Sequence, residues 1–244
     1  MNGKKTKIAL CISGEPRNTM LCYPYIYENF IRLNPEEYEV DIYYYGFSSF
    51  RALPLYNLKQ YHIDDQSEHK LFTNWFEPFE EKLRPEISFI FTQDPFCNFN
   101  NYNNLKNMFL MYYNIYHCFN RIQDDYDTYI RIRPDLLFET KFDLSYILDH
   151  MEDKNYDICL PYTRVDNEFG DQLAIANYKG MKTYSDLFIN LHATINQIKK
   201  FRSEELLYYY LSSSNLNIFR YRFLLRIIRK SYVDSNTLFN YLNE

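Results

Sequence analysis

Lys7-Ile8-Ala9-Leu10-Cys11-Ile12-Ser13-Gly14 is an almost unbroken apolar run that ends in two small residues. A run of this length without polar alternation suits a strand covered on both faces, and such strands belong to parallel sheets with helices packed on either side. Working outward, residues 38–45 predict a second strand closed by Gly46, and residues 87–92 a third. Pro24 fits the first turn of a helix running through Ile26, Phe30 and Ile31. Leu71, Trp75, Phe76 and Phe79 recur at helical spacing, and the Asn-rich residues 98–104 read as a loop. From Leu105 onward, Met108, Phe109, Tyr112, Tyr116, Phe119 and Ile122 follow a 3.6-residue period and predict a long helix. Tyr129-Ile130-Arg131-Ile132-Arg133 alternates with period two as a strand. A helix over residues 144–151, strands at 156–160 and 172–176, and helices from Gly180 onward complete the reading. Strands alternating with helices predict one α/β domain over residues 1–244, with a mainly parallel central sheet flanked by helices.

Composition bounds the function. The 244 residues carry 27 Lys and Arg against 32 Asp and Glu, a net charge of −5 that argues against a general nucleic-acid binder. Hydrophobic residues at 46% and charged residues at 24% supply an ordinary core and exclude wholesale disorder. Glycine is scarce, with 5 in the chain, so each one marks a turn or a close backbone approach more strongly than usual. Cys11, Cys22, Cys97, Cys118 and Cys159 are odd in number and form no C-x-x-C pair, which argues against a zinc site or a disulfide framework. The apolar run behind the basic N-terminus stops at Ser13-Gly14-Glu15, too short for a secretory signal. No stretch approaches the roughly 18 apolar residues of a membrane span. These features predict a reducing, cytoplasmic setting.

In open parallel sheets, ligands gather outside the carboxyl ends of the strands. Those ends carry Ser13-Gly14 with Arg17 close behind, Gly46-Phe47-Ser48, Thr92-Gln93-Asp94 and Arg133-Pro134-Asp135. Period two sets Arg131 and Arg133 on one face of their strand. Two guanidiniums there need carboxylates such as Asp127 or Asp135, water, or an anionic ligand. Arginine forks suit phosphate oxygens, and Asp135, expected to be exposed at the strand end, adds the carboxylate that a metal diphosphate requires. Asp125-Tyr126-Asp127 lies before the strand, at the wrong end for this role. The histidines His62, His69, His117, His150 and His192 show no i, i+4 pairing. There is no G-x-S-x-G element and no P-loop.

The chain resembles glycosyltransferases with a GT-A-like, Rossmann-like fold, of the kind found in polysaccharide and lipopolysaccharide gene clusters and in some large viruses. The resemblance is carried by Ile8 to Gly14 with Arg17, by Val40-Asp41-Ile42-Tyr43-Tyr44, and by Asn107-Met108-Phe109. It continues with Tyr129-Ile130-Arg131-Ile132-Arg133-Pro134-Asp135-Leu136 and Gly170-Asp171-Gln172, in order over residues 7–177. It implies hexosyl or pentosyl transfer from a nucleotide-sugar donor, bound as co-substrate by residues 1–138, to a glycan or glycolipid acceptor bound by residues 139–244. The implied donor-binding residues are Ser13, Gly14, Arg17, Arg131, Arg133 and Asp135.

Typical members hold Mn²⁺ or Mg²⁺ with Asp-x-Asp at the end of a central strand. Arg133-Pro134-Asp135 falls at that place, so Asp135 is the metal candidate and Arg133 replaces the first Asp. An arginine there can itself offset the diphosphate charge, a catalytic role. Asp171 is the second catalytic candidate, deprotonating an acceptor hydroxyl or holding sugar hydroxyls, against an ordinary turn aspartate. Glu204 and Glu205 are rival bases, expected to be solvated on a helix. Arg220, Arg222, Arg226, Arg229 and Lys230, interleaved with Leu224, Leu225, Ile227 and Ile228, suit either peripheral membrane contact or a core element with a basic face. Two other classes stay open: a non-catalytic GT-A-like glycan-binding or interaction module, and another nucleotide-dependent sugar-phosphate transferase.

Overall fold

The computed structural model of the chain describes residues 5–14, 19–46, 58–63 and 102–228. In chain order its elements are β1 (Thr6–Ser13), α1 (Thr19–Ile26), β2 (Tyr38–Gly46), β3 (Leu58–Ile63), α2 (Tyr102–Phe119), β4 (Thr128–Ile132), β5 (Leu136–Phe138) and α3 (Leu144–Asp153). They continue with β6 (Ile158–Pro161), β7 (Leu173–Ala176), α4 (Tyr178–Ile198), α5 (Ser203–Ser212), β8 (Ile218–Tyr221) and β9 (Leu225–Ile227). The main sheet has the order β3-β2-β1-β4-β7-β6-β8, and β5 and β9 pair in a separate antiparallel ribbon. Among the described residues, six of the seven main strands point one way, and β7 runs against β4 and β6. The predicted α/β class with a mainly parallel sheet is therefore observed.

The apolar run at the N-terminus is explained by its place. β1 lies between β2 and β4, with Leu10 in register with Ile42 on one side and Ile130 on the other. Its side chains alternate between two cores. Ile8, Leu10 and Ile12 join Cys22 and Ile26 of α1, Phe30 of the turn after it, and Leu144, Ile147 and Met151 of α3. Ala9 and Cys11 join side chains of α2, α4 and α5 on the other face. A strand covered on both faces needs apolar residues at every position, because neither face meets water. Cys11, Cys22, Cys118 and Cys159 are free and buried.

Several local expectations are corrected. α1 begins at Thr19, so Pro24 lies inside the helix and not in its first turn. The helix then widens over Tyr27–Ile31, where the Arg32 amide donates to the Tyr27 carbonyl at 2.7 Å, five residues back. α2 starts at Tyr102, inside the predicted loop, and ends at Phe119. β3 was not foreseen, and neither was the reversed direction of β7. The basic C-terminal stretch holds the strands β8 and β9. The predicted helix near 71–79, the strand at 87–92, Cys97 and Thr92-Gln93-Asp94 lie outside the described residues, as do Phe47, Ser48 and Arg17.

Candidate active site

β1 delivers Ser13 and Gly14 to the carboxyl edge of the sheet, and β4 delivers Arg133, Pro134 and Asp135 to the same edge. Because β7 is antiparallel to β4, its leading residues Asp171 and Gln172 arrive there too, and the Arg133 amide donates to the Gln172 carbonyl at 3.3 Å. α2 and the first turn of α5 close the remaining sides. The result is a cleft of about 340 Å³ lined by Ser13, Gly14, Arg131, Arg133, Asp135 and Asp171, together with Asn107, Asn114, Gln172, Ser203 and Glu204. Ser13, Gly14, Arg131, Arg133, Asp135 and Asp171 thus line one cleft, whereas Glu205 does not and pairs with Lys200 at 2.7 Å.

Two glycines shape its corner. Gly14 has φ +124°, a conformation that L side chains rarely adopt. Its amide donates to the Tyr45 carbonyl at 3.0 Å, and its carbonyl accepts from the Tyr44 hydroxyl at 3.1 Å. A Cβ on Gly46 would collide with that carbonyl and that hydroxyl. The tight approach fixes where the chain leaves β1.

Arg131 is 1% exposed, on the face of β4 that packs against α2 and α4. Its Nε donates to Ser13 Oγ at 3.1 Å, and its Nη1 donates to the Asp171 carbonyl and, at 3.4 Å, to the Tyr184 hydroxyl. None of these acceptors is a carboxylate. Burial pushes the Tyr184 phenol up to about 12, so it is neutral and offsets no charge. Arg131 Nη2 and Asn114 Oδ1 are buried polar atoms without a partner among the described residues, and both residues line the cleft. Buried polar groups are nearly always satisfied, so this cleft has a donor, Arg131 Nη2, and an acceptor, Asn114 Oδ1, left for water or a polar ligand.

Arg133 takes the other course. Its Nε and Nη2 donate to the two oxygens of Asp135 at 2.8 and 3.0 Å, a bidentate fork. Burial works against the Arg133 charge, but the hydrogen bonds and charge of Asp135, with the charge of Asp171, hold the guanidinium above its ordinary value. Asp135 is 2% exposed, so the expectation of an exposed strand-end carboxylate is corrected. It is buried because Arg133 folds over it. Both of its oxygens face one guanidinium, and among the described residues no group of three His, Cys, Asp or Glu could hold a metal ion. The described residues do not fit a divalent cation at Asp135. Asp127, of the literal Asp-x-Asp, accepts from the Lys7 amide at 2.9 Å at the opposite edge of the sheet.

Asp171 is 4% exposed, and its carbonyl is gripped by Arg131 and by the Tyr184 hydroxyl, the latter at 3.2 Å. Sequence reasoning placed Glu204 on a solvated helix face; it lines the cleft instead. Burial, then the charge of Asp171, raises its carboxyl above the ordinary value. Asn114 was also missed, although a polar residue inside the apolar stripe of α2, two turns after Asn107, carried a signal.

Of the basic C-terminal residues, Arg220 and Arg226 are engaged within the chain and Arg222 is exposed. Arg220 Nη2 donates to Thr163 Oγ1 at 3.1 Å and to loop carbonyls, and its guanidinium lies 4.7 Å from the Tyr162 ring centre. Arg226 pairs with Glu139 at 2.5 Å, while Arg229 and Lys230 lie outside the described residues. No helix among the described residues is long and apolar enough to cross a membrane.

No family model and no curated protein matches the chain. Among solved structures it is similar to the galactosyltransferase LgtC in complex with donor and acceptor sugar analogs, with a TM-score of 0.45 and 11% identity over 88% of this chain and 73% of that one. An active-site mutant of LgtC gives a TM-score of 0.45 and 11% identity over 88% and 72%. The apo form of mouse xyloside xylosyltransferase 1 gives 0.44 and 10% identity over 96% and 92%.

Proposed function

We propose that the protein is a glycosyltransferase of the GT-A type, moving a sugar from a nucleotide-sugar donor to a hydroxyl of a glycan or glycolipid acceptor. The observation that carries the reading is Arg131, a buried cation with no carboxylate among its acceptors and with Nη2 unpartnered on a cleft at the carboxyl edge of the sheet. A diphosphate supplies the missing acceptor oxygens and the missing negative charge. As the bond from the anomeric carbon to phosphate breaks, charge builds on the leaving oxygen, and a donor already held in place stabilises that charge without reorganising. Arg133 and its Asp135 partner form a second wall of fixed geometry beside it, and the Gly14 corner admits close backbone approach. Asp171 lines the same cleft and receives the acceptor hydroxyl. In this reading the donor is served by residues of β1 and β4 and the acceptor by residues after 139, as two halves of one domain.

The Arg133–Asp135 fork also favours a second reading, a GT-A-like module that binds nucleotide or glycan without turnover, because it closes the carboxylate that a metal would use. A thermal-shift panel of nucleoside diphosphates and nucleotide sugars, with and without Mn²⁺, tests the proposal. Stabilisation by at least one nucleoside diphosphate in the absence of metal supports it, and no response to any of them overturns it. Binding with no cleavage of any donor favours the module.

A further inference from the structure

The cleft is lined by a second acid, Glu204, as well as Asp171, and hydrogen bonds from two other parts of the chain hold the Glu204 turn against it. The Phe169 amide donates to the Glu204 carbonyl at 3.2 Å, tying the loop that carries Asp171 to the first turn of α5. From α2, the Tyr112 hydroxyl donates to the Ser203 carbonyl at 3.0 Å, holding that turn from the other side. Arg202, next to this turn, pairs with Glu168 Oε1 at 2.8 Å. Glu204 Oε2 accepts from Ser203 Oγ at 2.9 Å, and the carboxylate is also hydrogen-bonded by the Glu204 backbone amide.

The groups facing Glu204 are Asp171 from the loop before β7, Tyr112 from α2, and Ser203 and Arg202 from its own element; Arg131 and Arg133 stand on the cleft walls. Tyr112 is held neutral by burial first and by Asp171 next, so it adds no charge. Hydrogen bonds from the Glu204 amide and the Ser203 hydroxyl, and then Arg202, favour the carboxylate, but burial and Asp171 outweigh them.

We propose that Asp171 and Glu204 form a carboxyl pair on the cleft in which Glu204 takes the proton from the acceptor hydroxyl. The proposal rests on the glycosyl-transfer reading. In the step, the acceptor O–H bond breaks and its proton passes to Glu204. The oxygen lone pair forms the bond to the anomeric carbon, and the bond from that carbon to phosphate breaks with its electron pair left on the phosphate oxygen beside Arg131. Glu204 then releases the proton to water. Two coupled acids are suited to this because one negative charge raises the basicity of the other, bringing the base closer to the working pH.

The test measures nucleoside diphosphate release with acceptor from pH 4 to 9 for the parent, Glu204→Gln and Asp171→Asn, alongside melting curves and nucleoside diphosphate binding. The parent rate falls on the acid side through a midpoint above the ordinary carboxyl value of 4.5. Glu204→Gln loses about 100-fold or more in kcat, in the range for a general base, with diphosphate affinity within about 3-fold of the parent. Asp171→Asn retains an acid limb but moves it to lower pH, because the charge that raised Glu204 is gone.

Melting gives a readout that needs no activity. A raised folded value means that the stabilisation from protonating Glu204 is present below about pH 4.5 and is lost as pH rises through that value. Glu204→Gln, which mimics the protonated form, therefore melts a few degrees higher than the parent at pH 8 and with the parent at pH 4. Full kcat in Glu204→Gln, an acid limb that stays put in Asp171→Asn, or equal melting at pH 8 overturns the pair. A parent that neither binds diphosphates nor turns over overturns the glycosyl-transfer reading and the catalytic role with it, while the melting comparison still reports on the pair itself.

Discussion

Arg131→Met separates a ligand-binding arginine from a structural one. Met is unbranched, fills a similar channel between β4 and α4, and carries no charge. On the structural side, the change removes the donor to Ser13 Oγ at 3.1 Å and one donor to the Asp171 carbonyl, which keeps the Tyr184 hydroxyl at 3.2 Å. Those losses cost about 1–3 kcal/mol. Against them stands relief from burying a cation with no carboxylate bonded to it, a desolvation penalty of several kcal/mol. The net change in stability is expected to lie within about 2 kcal/mol of zero.

On the binding side, the unpartnered Nη2 offers one charge-assisted hydrogen bond to a phosphate oxygen, worth about 1.5–3 kcal/mol. Its loss weakens nucleoside diphosphate affinity about 10- to 150-fold. In a melting assay at ligand 100 times the parent Kd, the parent gains about 2.7 kcal/mol, roughly 5–10 °C for a chain of this size. A variant whose Kd has risen about 100-fold gains about 0.4 kcal/mol, roughly 1–2 °C. A variant that melts far below the parent yet keeps the full ligand shift would refute the reasoning, because Arg131 would then serve only the fold.

Two other substitutions read the remaining walls of the cleft. Arg133→Ala strands the Asp135 carboxylate, whose side chain is 4% exposed, and should lower stability by about 3 kcal/mol, with Asp135→Asn added to it restoring part of the loss; melting curves of the three variants check this, and additive losses would refute the pairing. Gly46→Ala puts a methyl group against the Gly14 carbonyl and the Tyr44 hydroxyl, so it should cost a few kcal/mol and weaken diphosphate binding by moving the Gly14 corner; a variant with parent melting temperature and affinity would show that the corner is slack.

Much of the site was legible because it sits at strand ends. The apolar run before Ser13 identified a strand covered on both faces, and the rule that ligands meet such sheets at their carboxyl edge then selected Ser13, Gly14, Arg133 and Asp135; Arg131 followed from its period-two pairing with Arg133, and Asp171 from the family resemblance. Where the reading failed, the deciding contact was tertiary. β7 has four residues, all buried, and nothing in Leu173-Ala174-Ile175-Ala176 encodes which way it runs. Asp135 looked exposed because its burial depends on the turn at Pro134 that lets Arg133 reach back over both carboxylate oxygens. Glu204 looked solvated because acids in a first helical turn usually are; only the Phe169 amide and the Tyr112 hydroxyl, distant in sequence, bring that turn against the cleft. Pro24 was read as a helix start from its general preference, whereas α1 begins five residues earlier and absorbs it.

The central claim, that the cleft holds a sugar nucleotide through Arg131, is tested most directly by phosphorus NMR of a panel of nucleotide sugars and nucleoside diphosphates mixed with the protein in EDTA. The account predicts that the diphosphate resonances of at least one donor broaden and shift with the parent, that they do so far less with Arg131→Met, and that this donor is converted to nucleoside diphosphate when an acceptor is supplied. Diphosphate resonances unchanged by the parent for every member of the panel, or changed equally by Arg131→Met, would contradict it.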